Sequence, residues 1–263
     1  MQIKANNISV NYRMNGKGEN FVLIHGAGDN LNMWDHQVPV FSKSYRVITY
    51  DVRGHGETES PETAYTMSLF SEDLYQFTKA IKVKNAYFLG YSMGGRLALN
   101  LAIDHPEIVK ALILANSPVG LMPPEAMEGR QVMLELLEKG DFKIAVELMT
   151  TNAFSPGFKD NNLTEFEKYK NVKLKNKSDC FTRIIRAIGT FNPIPDLSKV
   201  QCPVLIIIGE NDAIMGVDQG KLAQKAIVGS ELVILPTGHA AALELPRKFN
   251  SAVMQFLSGI GKG

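Results

Sequence analysis

Lys84-Asn85-Ala86-Tyr87-Phe88-Leu89-Gly90-Tyr91-Ser92-Met93-Gly94-Gly95 is an apolar run that stops at a serine with glycine two residues before and two after it. This G-x-S-x-G pattern places a serine on a sharp turn from strand to helix. Small residues at positions 90 and 94 let the two elements approach closely, so the hydroxyl stands exposed on a strained backbone. The context fits: Ala86 to Leu89 has the composition of a buried strand, and Arg96 to Ile103 carries apolar residues at helical spacing.

Working outward, Ile3 to Met14 alternates with period two and predicts an antiparallel pair turning near Ala5 to Asn7. Phe21 to Ile24, Tyr45 to Tyr50, Ala111 to Leu114, Val204 to Ile208 and Leu232 to Leu235 are short continuous apolar runs, like Ala86 to Leu89. Such runs predict parallel strands buried on both faces. Ser68 to Ile81, Val217 to Ala226 and Arg247 to Leu257 show the three- and four-residue spacing of crossover helices. The pattern predicts an α/β fold with a mostly parallel open sheet flanked by helices.

Between Leu114 and Val204 the alternation lapses. Glu125 to Glu138, Phe142 to Thr150 and Cys180 to Ile188 have helical spacing, and Asn192-Pro193-Ile194-Pro195 breaks the last of them. The expected organisation is a core of residues 1–119 and 193–263 with a helical cap insertion over 120–192. Lysines 168, 170, 173, 175 and 177 fall in this insertion and read as a solvated helix face or loop.

A serine hydroxyl is a weak nucleophile unless a base takes its proton, and a carboxylate must orient that base. Asp212 follows the Val204 to Ile208 strand and His239 follows the Leu232 to Leu235 strand. In open parallel sheets, sites gather beyond the carboxyl ends of strands, so Ser92, Asp212 and His239 are expected to meet there. Glu210 is a rival acid that lies shallower in its loop, and Glu244 falls within the helix after His239. For the oxyanion, the backbone amides of Ala27, in His25-Gly26-Ala27-Gly28, and of Met93 form the expected pair. His25 reads as a structural histidine holding that loop. Trp34, Phe154, Met122, Met127 and Met149 are candidate pocket or cap residues.

The chain has 263 residues, 45% of them hydrophobic, which suits one large domain. Twenty-eight Lys plus Arg against 27 Asp plus Glu leave a charge of +1, so no general attraction to nucleic acid or to an anionic membrane is expected. Cys180 and Cys202 give no disulfide framework and read as reduced thiols. No apolar stretch approaches the roughly 18 to 20 residues of a bilayer span, nor does the N-terminus resemble a secretory signal, so a soluble cytoplasmic protein is expected. The partner expected is a small-molecule ester or acyl substrate, with no metal and no organic cofactor; oligomeric state is not readable.

His25-Gly26-x-Gly28, Asp51-x-Arg53-Gly54-His55-Gly56, Gly90-x-Ser92-x-Gly94-Gly95, Gly209-x-x-Asp212 and Gly238-His239 together resemble the α/β-hydrolase superfamily across nearly the whole chain except the cap. The resemblance implies that fold, with Asp51 to Gly56 as a structural loop and His55 as a packing residue. It implies a serine hydrolase cleaving carboxylic esters or related acyl bonds of small substrates through an acyl-enzyme, although the same core hosts many chemistries. More narrowly, Gly90 to Leu99 is similar to the nucleophile segment of the menaquinone-pathway succinyl-hydroxy-cyclohexadiene-carboxylate synthase. That likeness implies a lyase alternative eliminating pyruvate, in which Arg96 clamps a carboxylate, Tyr91 walls the pocket and Arg130, Arg183 and Arg186 are further basic candidates. A ligand-binding receptor on a hydrolase scaffold is the alternative from another class.

Overall fold

The computed structural model describes residues 1–120, 123–190 and 197–260. β1 (Gln2–Ala5) and β2 (Ile8–Asn15) form the antiparallel pair, turning at Asn6 and Asn7, whose φ angles of 44° and 63° asparagine tolerates well. β3 (Asn20–Ile24), a four-residue helix α1 (Val38–Phe41) and β4 (Arg46–Tyr50) follow. Next come α2 (Met67–Ala80), β5 (Ala86–Tyr91), α3 (Met93–Asp104) and β6 (Val109–Ala115). Five helices then intervene: α4 (Pro124–Glu138), α5 (Phe142–Ala153), α6 (Phe158–Asn161), α7 (Leu163–Leu174) and α8 (Ser178–Gly189). After them come β7 (Val204–Gly209), α9 (Val217–Ala226), β8 (Glu231–Leu235), α10 (Ala241–Glu244) and α11 (Pro246–Ile260).

The eight strands form one sheet in the order β1-β2-β4-β3-β5-β6-β7-β8, parallel from β4 through β8. β3 sits between β4 and β5, so the chain leaves β3 toward one edge and returns to its other side. The loops after β3 and β5 therefore diverge over a crevice, where such sheets bind ligands. One apolar core joins the sheet to α2 and α3; a second, on the opposite face, joins it to α1 and α11. Helix α2 shows why its sequence folds as it does: Thr66 accepts from the Leu69 amide at 3.1 Å as N-cap, and Met67, Phe70, Leu74 and Phe77 fall on one buried stripe.

Three expectations are corrected. β8 is not buried on both faces; it is the sheet edge, with nothing paired beyond it among the described residues, and Ile234 is 44% exposed. Lysines 168, 170 and 173 lie on helix α7 and 175 and 177 just beyond it; the buried face of α7 is Phe166, Tyr169 and Lys173, so one of the five lysines lies fully inside. Trp34 ends a short 3₁₀ turn, Leu31–Trp34, that drives it into the second core with Phe21 and Phe41, outside the lining of the pocket above Ser92. The proline break at 192–195 and Met122 lie outside the described residues. Among the described residues no helix is long and apolar enough to cross a membrane.

Candidate active site

Ser92 joins β5 to α3 at φ 52° and ψ −118°, a strained conformation for a residue with a side chain. The turn is possible because nothing projects from its flanks. A Cβ on Gly90 would lie 2.4 Å from the Gly95 Cα, and one on Gly94 would lie 2.3 Å from the Ile24 carbonyl oxygen. The Ser92 amide donates to the Ala115 carbonyl at 2.9 Å, extending the pairing with β6 one residue past the end of β5 and fixing where the hydroxyl emerges.

The loops after β7 and β8 are stitched to each other: the Glu210 amide donates to the Leu235 carbonyl at 2.7 Å and the Asn211 amide to the Thr237 carbonyl at 2.8 Å. That stitching sets Asp212 beside His239. His239 Nδ1 lies 2.9 Å from Asp212 Oδ2, and His239 Nε2 lies 2.9 Å from Ser92 Oγ. Asp212 Oδ1 accepts from the Ile214 and Met215 amides, each at 2.9 Å. Burial pushes the Asp212 carboxyl upward, but the His239 charge and these hydrogen bonds outweigh it, and its pKa lies below the ordinary value. Asp212 thus stays ionised and can hold the imidazole in the tautomer whose Nε2 faces the serine. Glu210 faces solvent. Glu244 braces the site from behind, where its Oε1 accepts from the Gly238 amide at 2.7 Å and the Ser155 amide at 3.1 Å, tying the His239 loop to the end of α5.

The crevice above Ser92 is a pocket lined by Ala27, Tyr91, Met93 and His239 and by residues of α4, α5, α7 and α8, the helices between β6 and β7. Met93 is the first residue of α3, so its amide has no intrahelical acceptor, and the positive end of the helix dipole adds to it. Ala27 and Met93 both line the pocket beside Ser92. Tyr91 is buried against His239, ring centroids 5.1 Å apart. Arg96, one turn beyond Ser92, also lines the pocket; burial pulls its guanidinium pKa down to about 10, and its Nε donates to Asn100 Oδ1 at 2.9 Å. Arg130 of α4 joins it there, whereas Arg183 pairs with Asp179 at 3.0 Å and Arg186 with Glu138 at 2.8 Å, outside the lining. Met149 lines the pocket, Met127 is half exposed, and Phe154 stacks on Phe158 in an aromatic cluster beside it.

His25 holds its loop: Nε2 accepts from the Val52 amide at 3.0 Å, and the ring meets His55 edge-on at 4.9 Å. Sequence reasoning missed Asn116. It follows β6 at φ 48°, and its Nδ2 donates to Asp212 Oδ2 at 2.9 Å. An Asn-Ser-Pro segment after a strand signals an ordinary turn, so only its position beside Ser92 and Asp212 could have singled it out.

A family model described as the alpha/beta hydrolase fold matches residues 19–246, and the chain belongs to that family. It is 30% identical to 3-oxoadipate enol-lactonase 2 of Acinetobacter baylyi, over 95% of this chain and 94% of the relative. It is 28% identical to 2-hydroxy-6-oxo-6-(2'-aminophenyl)hexa-2,4-dienoic acid hydrolase of Metapseudomonas resinovorans, over 97% and 90%. Among solved structures, the enol-lactonase from Burkholderia xenovorans superposes with a TM-score of 0.92 at 25% identity, covering 98% of this chain and all of that one. A hydrolase from Pseudomonas aeruginosa gives 0.90 at 28% identity, over 98% and 97%.

Proposed function

We propose that the protein is a serine hydrolase that cleaves the ester or lactone bond of a small carboxylic substrate. The observation that carries this is the continuous chain from Ser92 Oγ through His239 to Asp212, with 2.9 Å at each link. Ser92 Oγ attacks the substrate carbonyl carbon as its proton passes to His239 Nε2, and Asp212 stabilises the imidazolium. The carbonyl oxygen becomes an oxyanion bound by the Ala27 and Met93 amides; each such donor is worth about 3 to 4 kcal/mol. Collapse expels the alkoxide, which takes the proton from His239, and leaves an acyl-serine. Water then attacks the acyl carbon, giving its proton to His239, and Ser92 departs with that proton as the acid is released.

Residues 120–192 serve as the cap in this reading, closing an apolar space over Ser92. Tyr91 forms its wall and Arg96 faces an anionic or carbonyl end of the substrate. Similarity to enol-lactonases supports extending the ester class to lactones. The test is turnover of p-nitrophenyl acetate and butyrate and of simple lactones by wild type and Ser92→Ala; activity in wild type that the variant lacks is expected.

One observation favours the lyase alternative, namely that Arg96 and Arg130 both line the pocket. It would gain if the protein left esters and lactones intact while eliminating pyruvate from the menaquinone intermediate. Stoichiometric ligand binding without turnover would favour the receptor reading.

A further inference from the structure

The loop that supplies the Ala27 amide is gripped from the insertion. Lys173, near the end of α7, is fully buried; its ammonium pairs with Asp29 and donates to the Ala27 carbonyl at 3.3 Å. Asn176, just beyond that helix, donates through Nδ2 to the Gly28 carbonyl at 2.9 Å. Phe181 of α8 closes the remaining side, since a Cβ on Gly28 would lie 2.5 Å from its ring. Ala27, Gly28 and Asp29 thus each receive a contact from the helical insertion.

Burying an ammonium costs several kcal/mol that an apolar side chain of the same length would not incur, so this lysine is a poor choice for packing alone. Its ammonium instead gives hydrogen bonds to two adjacent groups of the loop, the Asp29 carboxylate and the Ala27 carbonyl. Burial pulls the Lys173 pKa down, and Asp29 and Tyr169 together more than offset this, leaving it above the ordinary value and the lysine charged. The Ala27 N–H lies in the plane of the Gly26–Ala27 peptide, whose carbonyl accepts from the Asp29 amide at 3.3 Å. Lys173 acts on that plane through its neighbours, holding the Asp29 side chain on one side and, through the Ala27 carbonyl, the peptide plane that follows.

We propose that Lys173 and Asn176 are positioning residues that aim the Ala27 amide at the oxyanion, so that acyl transfer requires the cap helix α7 to be docked on the loop after β3. This deepens the hydrolase reading and rests on it.

The test compares wild type, Asn176→Ala, Lys173→Met and the charge-neutral Asp29→Asn/Lys173→Met pair, all as the full chain. Lys173→Met alone leaves a buried carboxylate unpaired and should lose melting temperature; the double variant should recover most of it. With p-nitrophenyl butyrate, kcat in both should fall about tenfold or more while KM stays within about twofold, because a misaimed donor weakens only the transition state. Affinity for an alkylboronic acid, which forms a tetrahedral anion on the serine, should fall by the same factor as kcat/KM. Asn176→Ala should lose about threefold in kcat. A double variant with wild-type melting and wild-type kcat, or losses confined to KM, would overturn the proposal.

Wild-type hydrogen exchange supplies a measurement independent of whether the variants fold: boronate should protect residues 26–29 and the last turn of α7 together, and protection of the loop alone overturns the coupling. If wild type shows no Ser92-dependent turnover, the hydrolase reading has failed. The variants' exchange at residues 26–29 then reads the grip by itself, faster in Asn176→Ala if it is real and unchanged if it is not.

Discussion

Asn116 and His239 share a single oxygen of Asp212: the Asn116 side-chain amide donates to Oδ2 at 2.9 Å, and His239 Nδ1 lies 2.9 Å from the same atom. With Oδ1 taken by the Ile214 and Met215 amides, the carboxylate is held from three sides and can present Oδ2 to the imidazole in one orientation only. Asn116 itself is fixed by its backbone amide, which donates to the Ile207 carbonyl at 2.8 Å and carries the sheet register one residue beyond β6.

Asn116→Ala should therefore lower kcat without unfolding the protein. Losing one hydrogen bond to a buried carboxylate costs about 1 to 3 kcal/mol, and about a tenfold fall in kcat is expected, with KM little changed. Steady-state kinetics on p-nitrophenyl butyrate, alongside a thermal melt, check this.

Glu244 bridges the His239 loop and the segment after α5, so its removal should be felt in both. In Glu244→Ala the Gly238 and Ser155 amides lose their acceptor, and a stability loss of about 1 to 3 kcal/mol is expected. Because His239 neighbours Gly238, kcat should fall as well. Urea unfolding and kinetics measured on one preparation would show the two losses together; an unchanged midpoint would contradict the bridging role.

Much of this site was legible in the sequence because its chemistry sits at strand ends. Strands buried on both faces read as unbroken apolar runs, and Ser92, Asp212 and His239 each follow a strand closely. What escaped was whatever depends on a partner far along the chain. Asn116 looks like part of a turn until Asp212 is brought beside it. Lys173 looks like surface because isolated lysines belong there, and only Asp29, contributed by another loop, makes its burial tolerable. Trp34 looks like a pocket aromatic a few residues past Ala27, yet one short 3₁₀ turn buries it in the core it shares with Phe21 and Phe41. Helices α1, α6 and α10, four residues each, are too short to show a period.

Acid should destabilise the fold through the two fully buried histidines, His25 and His55. Burial lowers the His25 pKa from 6.5 to about 4, partly opposed by Asp51 and the Gly26 carbonyl, and Lys173 lowers it further. Burial and then the neighbouring His25 charge lower that of His55 to about 3. The unfolded chain takes up protons below about 6.5 while the native state stays neutral, so stability falls as pH drops from about 6.5 toward about 3. Melting temperatures across that range should decline, and His55→Gln should give a shallower slope.

Gly90→Ala tests the elbow itself. The added methyl would meet the Gly94 carbonyl oxygen at 2.3 Å, backbone that cannot yield without displacing Ser92. Loss of turnover with a lowered melting temperature is expected, since overpacking of this kind typically costs about 1 to 3 kcal/mol.

The most direct measurement is covalent labelling by a fluorophosphonate, followed by mass spectrometry of the adduct, in wild type, Ser92→Ala and His239→Ala. A nucleophile activated through the 2.9 Å contact to His239 predicts rapid modification at Ser92, none in Ser92→Ala, and a rate about a hundredfold or more lower in His239→Ala. Wild type left unlabelled, an adduct on another residue, or undiminished labelling without His239 would contradict the account.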